Sequence, residues 1–294
     1  MEQLDNYWFT AWPRQKTLKH PVWCLGVGLH SGKQVKVQLN PASDNTGILF
    51  QVMKDNCVLA TIPARINNVV NSSLRTVLSH NQHSIDTTEH LLAAISACGI
   101  HNVIVQVWGN EIPIFSGSAS EWVFLLECAG VRQQSSTVLS IKIVKDIMVT
   151  QGSACCSLHP DVGFHLSYNL NYDHPMIGQQ NISMQLDKTT FIKELSQART
   201  FGFIKDLESI RLQGLAQGAT LDNTVVFDQL ALMNHTPLIW PNEPARHKLV
   251  DVVGDLALAG VEIQGRFCGN QSGHALNHRL VKELFSNSDN WVWN

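Results

Sequence analysis

Short stretches in which apolar and polar residues alternate recur along the chain, a pattern typical of half-buried β-strands. The clearest are Val35-Val37-Leu39, Phe164-Leu166-Tyr168-Leu170-Tyr172 and Ile182-Met184-Leu186. Between such stretches, apolar residues recur at helical spacing, as in Leu91, Leu92 and Ile95. Strands mixed with helices in this way predict an α+β fold, in which helices cover one face of each sheet.

The order of the predicted elements occurs twice. From His90 the chain reads helix, Gly99, apolar strand (Val103 to Trp108), loop, Ser116-Gly117-Ser118-Ala119 and a second helix ending near Gly130. From His247 it reads helix, Gly260, apolar strand (Val261 to Phe267), loop, Ser272-Gly273-His274-Ala275 and a second helix to about Phe285. This repetition predicts an internal duplication in which His90 and His247 open equivalent helices. If the two units pack face to face, both histidines meet at one interface.

The repeat divides the chain into two similar domains, each a sheet with two helices, and 294 residues are enough for both. We predict an N-terminal extension over residues 1–12 and a first domain over 13–131. The polar stretch 132–137 is predicted as a linker, and 138–294 as the second domain.

His247 and Asp251 are four residues apart, so on a helix they project from one face as two ligands of one metal ion would. Asp255 continues that face by one turn. The segments Asp86 to His90 and Ser272 to Asn277 add a third nitrogen ligand, a carboxylate base and a spare histidine. This set matches a catalytic zinc site that keeps one position open for water.

Each part of this set also has a purely structural interpretation. His247 and Asp251 could form a surface ion pair on a helix. Asp86-x-x-Glu89 before an apolar run is the signature of a capping box. His274 could cap the helix that follows it. These alternatives remain open at the level of sequence.

Composition narrows the function classes. Lys and Arg number 21 against 24 Asp and Glu, a net charge of −3 without a basic run, so nucleic acid is not an expected partner. The seven cysteines lack metal-knuckle spacing, and their odd number fits reduced thiols in a cytoplasm. No apolar run approaches ~20 residues, so no membrane span is predicted. Residues 1–12 do not resemble a signal or transit peptide.

Familiar hydrolase and nucleotide motifs are absent. Gly26 to Lys33 resembles a phosphate-binding P-loop, but Val27 stands where the first glycine belongs and Gln34 replaces the required Ser or Thr. The sequence contains neither a Gly-x-Ser-x-Gly elbow around Ser118 or Ser272 nor a His-Glu-x-x-His motif.

Six motifs in order resemble the UDP-3-O-acyl-N-acetylglucosamine deacetylase family, zinc hydrolases at the committed step of lipid A synthesis. They run from about Arg14 to Leu284: Gly26-Val27-Gly28-Leu29-His30-Ser31-Gly32-Lys33, Thr88-Glu89-His90-Leu91, Glu111-Ile112-Pro113-Ile114, Ala198-Arg199-Thr200-Phe201-Gly202-Phe203, Arg246-His247-Lys248 through Asp251 to Asp255-Leu256, and Ser272-Gly273-His274-Ala275-Leu276-Asn277. The resemblance implies two similar domains with their helices sandwiched between the sheets. It also implies a βααβ insertion in the second domain, at about 200–226.

The expected mechanism combines residue chemistry with this resemblance. One Zn²⁺ per chain is expected on His90, His247 and Asp251, with Glu89 as general base and His274, paired with Asp255, as the acid that protonates the departing amine. The resemblance implies that the Thr200 hydroxyl stabilises the oxyanion. Lys248 suits a substrate phosphate.

The resemblance also implies the substrate contacts. It carries over His30, Lys145 and Phe201 as substrate-binding residues, with Lys145 as a candidate for the nucleotide, and an acyl passage built from the insertion. The passage residues follow Thr200 at helical spacing, where ordinary core packing is the alternative: Phe203, Ile204, Leu207, Ile210, Leu215 and Ala216. A protein acting on an amphiphile can touch a membrane transiently, although no basic amphipathic helix argues for it.

Two positions depart from the family pattern. Ser116 stands where aspartate is usual, and Gln271 where a basic residue is frequent. The departures keep open a catalytically impaired relative that binds zinc and a UDP-sugar. A zinc-free structural α+β protein, with its histidines as helix caps, is the third possibility.

Overall fold

The computed structural model describes residues 13–70 and 73–294, so the predicted N-terminal extension over residues 1–12 lies outside the described residues. Within these ranges the fold is mixed α+β, as the sequence predicts. The helices are α1 (Glu89–Ala97), α2 (Ser120–Ala129), α3 (Lys188–Thr190), α4 (Ile204–Leu212), α5 (Glu243–Ala257) and α6 (His274–Ser286).

Strands β1 to β9 precede the predicted linker, and β10 to β19 complete the chain. The first group is β1 (Arg14–Leu18), β2 (Val22–Val27), β3 (Gln34–Pro41), β4 (Ile48–Lys54), β5 (Cys57–Pro63), β6 (Val69–Val70), β7 (Val77–His80), β8 (His83–Ile85) and β9 (Val103–Trp108). The second group is β10 (Val131–Thr137), β11 (Ser140–Ile143), β12 (Ile147–Gln151), β13 (Ala154–His159), β14 (Phe164–Asn171), β15 (Gln179–Gln185), β16 (Phe201–Phe203), β17 (Val225–Phe227), β18 (Glu262–Asn270) and β19 (Trp291–Trp293).

The first large sheet has five strands in the order β2-β3-β9-β4-β5. Its alternation is the one read from the sequence: Val35, Val37 and Leu39 of β3 are buried, while the residues between them are partly exposed. β9 pairs antiparallel with β3 and parallel with β4. Because every second side chain points inward, the sheet has one apolar face for a helix to cover.

The second large sheet has seven strands and is built around β18, which pairs with β11, β13 and β14. β14 buries Leu166, Tyr168 and Leu170 in the predicted alternation. α5 packs on β14 and β15, and α6 packs on β12 and β13. These contacts hold the two helices that carry the candidate chemistry against one sheet.

The helices α1 and α5 pack on each other, and a glycine allows their closest approach. A Cβ atom on Gly254 would lie 2.1 Å from the backbone oxygen of Glu89, a separation that no side chain permits. The repeat predicted that His90 and His247 open equivalent helices, but the two helices begin at different positions relative to these histidines. His90 is the second residue of α1, whereas α5 begins at Glu243, a full turn before His247, because Pro244 favours the first turn of a helix.

The stretch 132–137, predicted as a linker, lies in strand β10, which pairs antiparallel with β1. Its polar side chains are bonded within the fold: Gln134 donates to the Ala42 carbonyl at 2.9 Å and accepts from Asn102 at 2.8 Å. A polarity pattern cannot distinguish such a strand from a solvated linker, because the partners of these amides are remote in sequence.

The predicted βααβ insertion contains a single helix in the described structure. β16 and β17 pair in parallel and α4 connects them, while residues 213–224 form turns. Asn223 stabilises these turns by donating to the Gly218 carbonyl and accepting from the Thr220 N–H. The predicted helical stripe therefore ends at Ile210, and Leu215 and Ala216 lie in the turns, Ala216 with a positive φ of 52°.

Among the described residues, no helix is both long and apolar enough to cross a membrane.

Candidate metal centre and active site

Three buried side chains from α1 and α5 converge as the duplication had predicted. The rings of His90 and His247 meet edge to face with centroids 4.9 Å apart. Oδ1 of Asp251 lies 3.7 Å from Nε2 of His90 and 3.5 Å from Nε2 of His247. Ligands at 2.0–2.1 Å from a tetrahedral ion are roughly 3.3 Å apart, so this group matches the size of a zinc site. Burial of all three residues excludes a surface ion pair.

His247 has the protonation state and orientation that a metal ligand needs. Its Nδ1–H donates to the Ala198 carbonyl at 2.9 Å, which turns Nε2 toward Asp251. Burial lowers the pKa of His247 to about 3, so the ring is neutral at neutral pH. A neutral imidazole held through its second nitrogen is the usual form of a histidine ligand.

Asp251 is ionised and held in one orientation. Burial opposes its ionisation, but the charges of Lys248 and the surrounding histidines outweigh burial and keep the pKa well below its usual value. Lys248 Nζ donates to Oδ2 at 2.8 Å, so Oδ1 faces the histidines. Lys248 also lies over the Phe201 ring at 5.5 Å. Two imidazoles and one carboxylate are a donor set that suits Zn²⁺.

Glu89 begins α1 and is buried beside the metal group. Its Oε2 accepts from the Thr76 backbone N–H at 3.0 Å, and its Oε1 lies 3.8 Å from Nε2 of His274. The capping box is not formed: the N-cap residue of α1 is Thr88, which makes no side-chain cap bond, and Asp86 pairs with Arg75 at 2.9 Å. Burial raises the pKa of Glu89.

His274 begins α6, but its ring does not cap that helix. Nδ1 donates to Oδ2 of Asp255 at 2.8 Å, and Nε2 lies 3.9 Å from Oδ2 of Asp251. Burial opposes protonation of His274, but Asp255, Asp251 and Glu89 outweigh it and raise the pKa to about 10. The ring is therefore an imidazolium whose free N–H points toward the metal group.

Asp255 is fully buried and surrounded by donors. Besides His274, it accepts from Asn277 at 2.9 Å, from the Thr76 hydroxyl at 2.6 Å and from His278 at 3.1 Å. Burial disfavours its charge, but His274 and His278 outweigh burial and hold its pKa far below the usual value. Sequence analysis did not single out Thr76, Asn277 or His278 as site residues. Of these, Asn277 stood in a quoted motif, and the other two carry no local signal.

A cavity of about 1010 Å³ opens from the metal group to the insertion. All three metal-group residues line it, with Glu89, His274, Lys248 and Thr200. Its apolar wall contains the sequence-predicted residues Phe201, Phe203, Ile204, Leu207, Ile210 and Ala216. The Thr200 backbone bonds to Gly117 and Val225, which fixes the base of this wall.

Two predicted substrate residues are not among those that line the cavity. Leu215 lies in the turn after α4 and bonds through its N–H to Ile210. Lys145 is exposed and pairs with Asp289 at 3.1 Å. It precedes β12, whose far end at Gln151 lines the cavity, so about 20 Å of strand separates the two. Lys145 therefore lies outside the lining of this cavity, and its assignment to the nucleotide stays a prediction.

His30 lines the cavity from a tight turn that Glu111 holds. The Glu111 carboxylate accepts the backbone N–H groups of His30 at 2.7 Å and Ser31 at 2.8 Å, so these donors are not available to a phosphate. Burial lowers the pKa of His30 to about 4. Its Nδ1 accepts from Ala216 at 3.3 Å, and its Nε2 has no hydrogen-bond partner in residues 13–70 and 73–294. Glu111 belongs to a quoted motif but was assigned no role.

The two departures from the family pattern lie in different places. Gln271 lines the cavity, and its side chain donates to the Asn171 carbonyl at 2.9 Å. Ser116 bonds to the Ser118 hydroxyl at 3.0 Å and is not among the described residues that line the cavity. It nevertheless adjoins Gly117, whose carbonyl accepts the Thr200 N–H.

A buried group that could hold a metal ion, next to a carboxylate and an imidazolium in a cavity with an apolar wall, is the arrangement expected of a metal-dependent hydrolase. Within that class the chain belongs to the LpxC family of UDP-3-O-acyl N-acetylglycosamine deacetylases, whose sequence profile matches residues 15–286. The resemblance read from the six motifs is thereby confirmed, and so is the enzyme class.

Individual relatives agree with this assignment over nearly the whole chain. The UDP-3-O-acyl-N-acetylglucosamine deacetylase of Acidithiobacillus ferrooxidans is 40% identical over 280 residues, which are 95% of this chain and 92% of that protein. The deacetylases of the same name from Coxiella burnetii and Pseudomonas entomophila are each 39% identical, with the same coverage.

Proposed function

We propose that the protein hydrolyses the N-acetyl group of UDP-3-O-(3-hydroxyacyl)-N-acetylglucosamine, giving acetate and the free glucosamine amine, the committed step of lipid A biosynthesis. The observation that carries this proposal is one cavity that joins a metal group, a base and an acid to an apolar wall. Its volume of about 1010 Å³ is at the upper end of the range for ligand pockets, as an acylated sugar nucleotide requires.

The proposed cofactor is one Zn²⁺ per chain on His90, His247 and Asp251. Bound there, zinc supplies a Lewis acid for the amide carbonyl and lowers the pKa of the attacking water. Support for zinc over Mg²⁺ or Ca²⁺ comes from the two imidazole ligands, His90 and His247, since those ions prefer oxygen ligands. The Nδ1 bond from His247 to Ala198 presets one ligand before the ion arrives.

Glu89 is the proposed base and His274 the proposed acid. Glu89 takes a proton from the water as the water oxygen attacks the acetyl carbon. The burial of Glu89 beside the metal group supports this role. When the C–N bond breaks, His274 gives its Nε2 proton to the amine nitrogen. Asp255 holds the other ring nitrogen at 2.8 Å and keeps the imidazolium aligned. The water oxygen forms the new C–O bond as the C–N bond breaks, and the products are the amine and acetic acid, which ionises to acetate. The proton on Glu89 is then lost and His274 is protonated again, which restores both groups.

Thr200 and Lys248 are proposed to contact the substrate. Thr200 lies at the base of the apolar wall, where its hydroxyl can donate to the developing oxyanion. Lys248 is a cation at the cavity wall and is assigned to a substrate phosphate. Its bond to Asp251 adds a second role, because it removes one carboxylate oxygen from competition for the metal.

The apolar wall is proposed to bind the acyl chain. Leu207 and Ile210 of α4 project into the cavity together with Phe203 and Ala216. When a hydrocarbon chain fills the cavity, the apolar face of α4 is removed from water, which favours binding. His30 is proposed as a contact to the sugar or nucleotide, since its buried Nε2 lacks a partner within the described chain.

The fold proposal is an internal duplication of one α+β unit, with α1, α2, α5 and α6 between the two large sheets. It keeps the predicted domains over residues 13–131 and 138–294 and the insertion at about 200–226, with residues 132–137 in strand β10 in place of a linker. Its support is the face-to-face contact of α1 with α5 and the matching helices α2 and α6. The proposed location is the cytoplasm, supported by seven cysteines that are all free thiols.

An assay of acetate release from the acylated UDP-sugar tests the function. We expect turnover by the zinc-loaded protein and a Glu89→Gln variant slowed by roughly 10²–10⁴-fold. Binding of the UDP-sugar without release of acetate would identify an impaired relative, for which Ser116 and Gln271 are the first residues to restore. Far less than about one zinc per chain at neutral pH would instead favour a structural protein.

A further inference from the structure

We infer that Thr76 is a positioning residue that ties the base to the acid: its backbone holds Glu89, and its hydroxyl holds the carboxylate that aligns His274. The inference rests on the proposed function, because it takes the roles of Glu89 and His274 from there.

The two bonds that Thr76 makes run in different directions from one residue. Its backbone N–H donates to Oε2 of Glu89 at 3.0 Å, and its hydroxyl donates to Oδ1 of Asp255 at 2.6 Å. Because the first bond engages Oε2 of Glu89, Oε1 faces His274. Because the second bond engages Oδ1 of Asp255, Oδ2 remains available to accept from Nδ1 of His274. A shift of Thr76 therefore displaces the base and the acid together.

The direction of the hydroxyl bond follows from the protons available. An ionised Asp255 can only accept, and the Thr76 hydroxyl has one proton, so that proton points to Oδ1. The oxygen lone pairs of Thr76 then face Nε2 of His278 at 3.0 Å and Nδ1 of His274 at 3.2 Å. The hydroxyl consequently occupies the centre of the network, as donor to the carboxylate and acceptor for a ring N–H.

Thr76 is itself fixed to α1. It is fully buried, and its carbonyl accepts both the N–H of Thr88 at 3.2 Å and the Thr88 hydroxyl at 3.3 Å. The neighbouring Arg75 pairs with Asp86 at 2.9 Å, which joins the same two segments a second time. The start of α1 and the residues before strand β7 are therefore joined by several bonds, and Asp255 of α5 is held to them through the Thr76 hydroxyl.

The test compares Thr76→Val, which removes the hydroxyl at nearly constant volume, with Thr76→Ser, which restores it. Both keep the backbone bond to Glu89. We expect Thr76→Val to lower kcat by about 10–100-fold with KM within about twofold and zinc content unchanged, because misalignment of an acid affects the transition state. Thr76→Ser is expected within about threefold of the parent in kcat.

Thr17→Val is the matched control. Thr17 is fully buried in β1, and its hydroxyl donates to Asn102 at 2.7 Å and accepts from Ala42 at 2.9 Å. This variant loses a buried hydroxyl of the same kind far from the cavity, so its stability falls while kcat stays at the parent value. Thr76→Ala serves the same purpose as Thr76→Val if the valine variant does not fold.

A second readout does not depend on turnover. Proton and nitrogen NMR of the histidine side chains reports the Nδ1–H of His274, whose signal depends on its bond to Asp255. We expect Thr76→Val to move that signal and Thr76→Ser to preserve it, even in a protein without deacetylase activity. The inference is overturned if the valine variant keeps the parent signal and kcat, or if serine fails to rescue both.

Discussion

Two side chains of the metal group, His247 and Asp251, are each held through one atom and present another. His247 is bonded through Nδ1 to Ala198 and presents Nε2, and Asp251 is bonded through Oδ2 to Lys248 and presents Oδ1. Orientation of this kind matters because a ligand that arrives in its bound rotamer loses little conformational freedom when the ion binds. Each of these two residues therefore contributes a fixed ligand orientation in addition to a ligand atom.

Glu89→Gln separates the role of a base from the role of a hydrogen-bond acceptor. The amide oxygen of glutamine can still accept the Thr76 N–H, so we expect a folded protein with unchanged zinc content. A neutral amide cannot take a proton, so turnover should fall by roughly 10²–10⁴-fold. Acetate release and metal analysis on the same preparation check this. Deacetylation within about threefold of the parent rules out Glu89 as the base.

At this scale, sequence predicted the residues whose chemistry is rare. His90, His247, Asp251, Glu89 and His274 were identified because few functions require such groups at such spacing. Thr76 and His278 were missed, because a threonine before a strand and a histidine within a helix have many ordinary uses. Their part in the site arises from contacts with Asp255, which lies 179 and 23 residues away along the chain.

The elements of the fold bring the site together through helix packing. Where α1 and α5 pack, the backbone of Glu89 lies directly against Gly254. No side chain therefore stands between the residue that carries the base and the helix that carries two of the proposed ligands. Sequence predicted both helices and five of the strands, namely β3, β9, β14, β15 and β18, from periodicity and the repeat. It misassigned β10, whose buried amides look solvated in the sequence, and it predicted a second insertion helix where glycines and Asn223 form turns.

For Gly254→Ala, helix propensity and steric packing predict opposite changes in the free energy of unfolding, so the measurement distinguishes the two effects. Helix propensity alone favours alanine by about 0.8–1.0 kcal/mol. The new Cβ, however, would lie 2.1 Å from the Glu89 oxygen, and overpacking of this kind costs about 1–3 kcal/mol or more. We expect a lower free energy of unfolding in urea and weaker zinc binding. Gly202→Ala is the control, since no atom lies within 4 Å of its Cβ; a Gly254→Ala variant more stable than the parent would contradict the contact.

The insertion helix α4 offers a paired test of the acyl passage. Ile210 lines the cavity, whereas Leu212 is 84% exposed and is not among the cavity-lining residues of the described chain. Ile210→Trp should fill part of the passage and raise KM for the acylated UDP-sugar by about tenfold or more, with zinc content unchanged. Leu212→Trp should leave KM unchanged. Steady-state kinetics on both variants measures this, and equal KM values for the two would argue against an acyl chain beside α4.

Across the whole molecule, the proposed metal ligands come from both halves of the chain. His90 belongs to α1 and the other two ligands to α5, and these helices connect the region of the five-stranded sheet to the region of the seven-stranded sheet. An ion bound at this place stabilises the contact between the two regions as well as the reaction, because binding to the folded state alone adds to its stability.

Removal of the metal should therefore lower Tm as well as activity. At a free zinc concentration 1,000 times the Kd, the bound ion contributes about 4 kcal/mol, and each kcal/mol corresponds to about 2–4 °C for a chain of this size. We expect a chelator to lower Tm by several degrees and zinc to restore both Tm and acetate release. Asp251→Ala is the control, because its Tm should respond to neither treatment. A parent Tm that chelation leaves unchanged would show that the ion does not hold the halves together.

The split origin of the ligands also sets the time at which the site can exist. During synthesis His90 leaves the ribosome roughly 160 residues before Asp251, which is about 8–30 s at ordinary translation rates. For that interval the nascent chain offers only one of the three proposed ligands, so zinc capture at this site must follow emergence of α5. A polypeptide cut short before α5 keeps all five strands of the first large sheet and yet lacks two of the three proposed ligands. Metal content at this site thus distinguishes chains that extend through α5 from truncated ones.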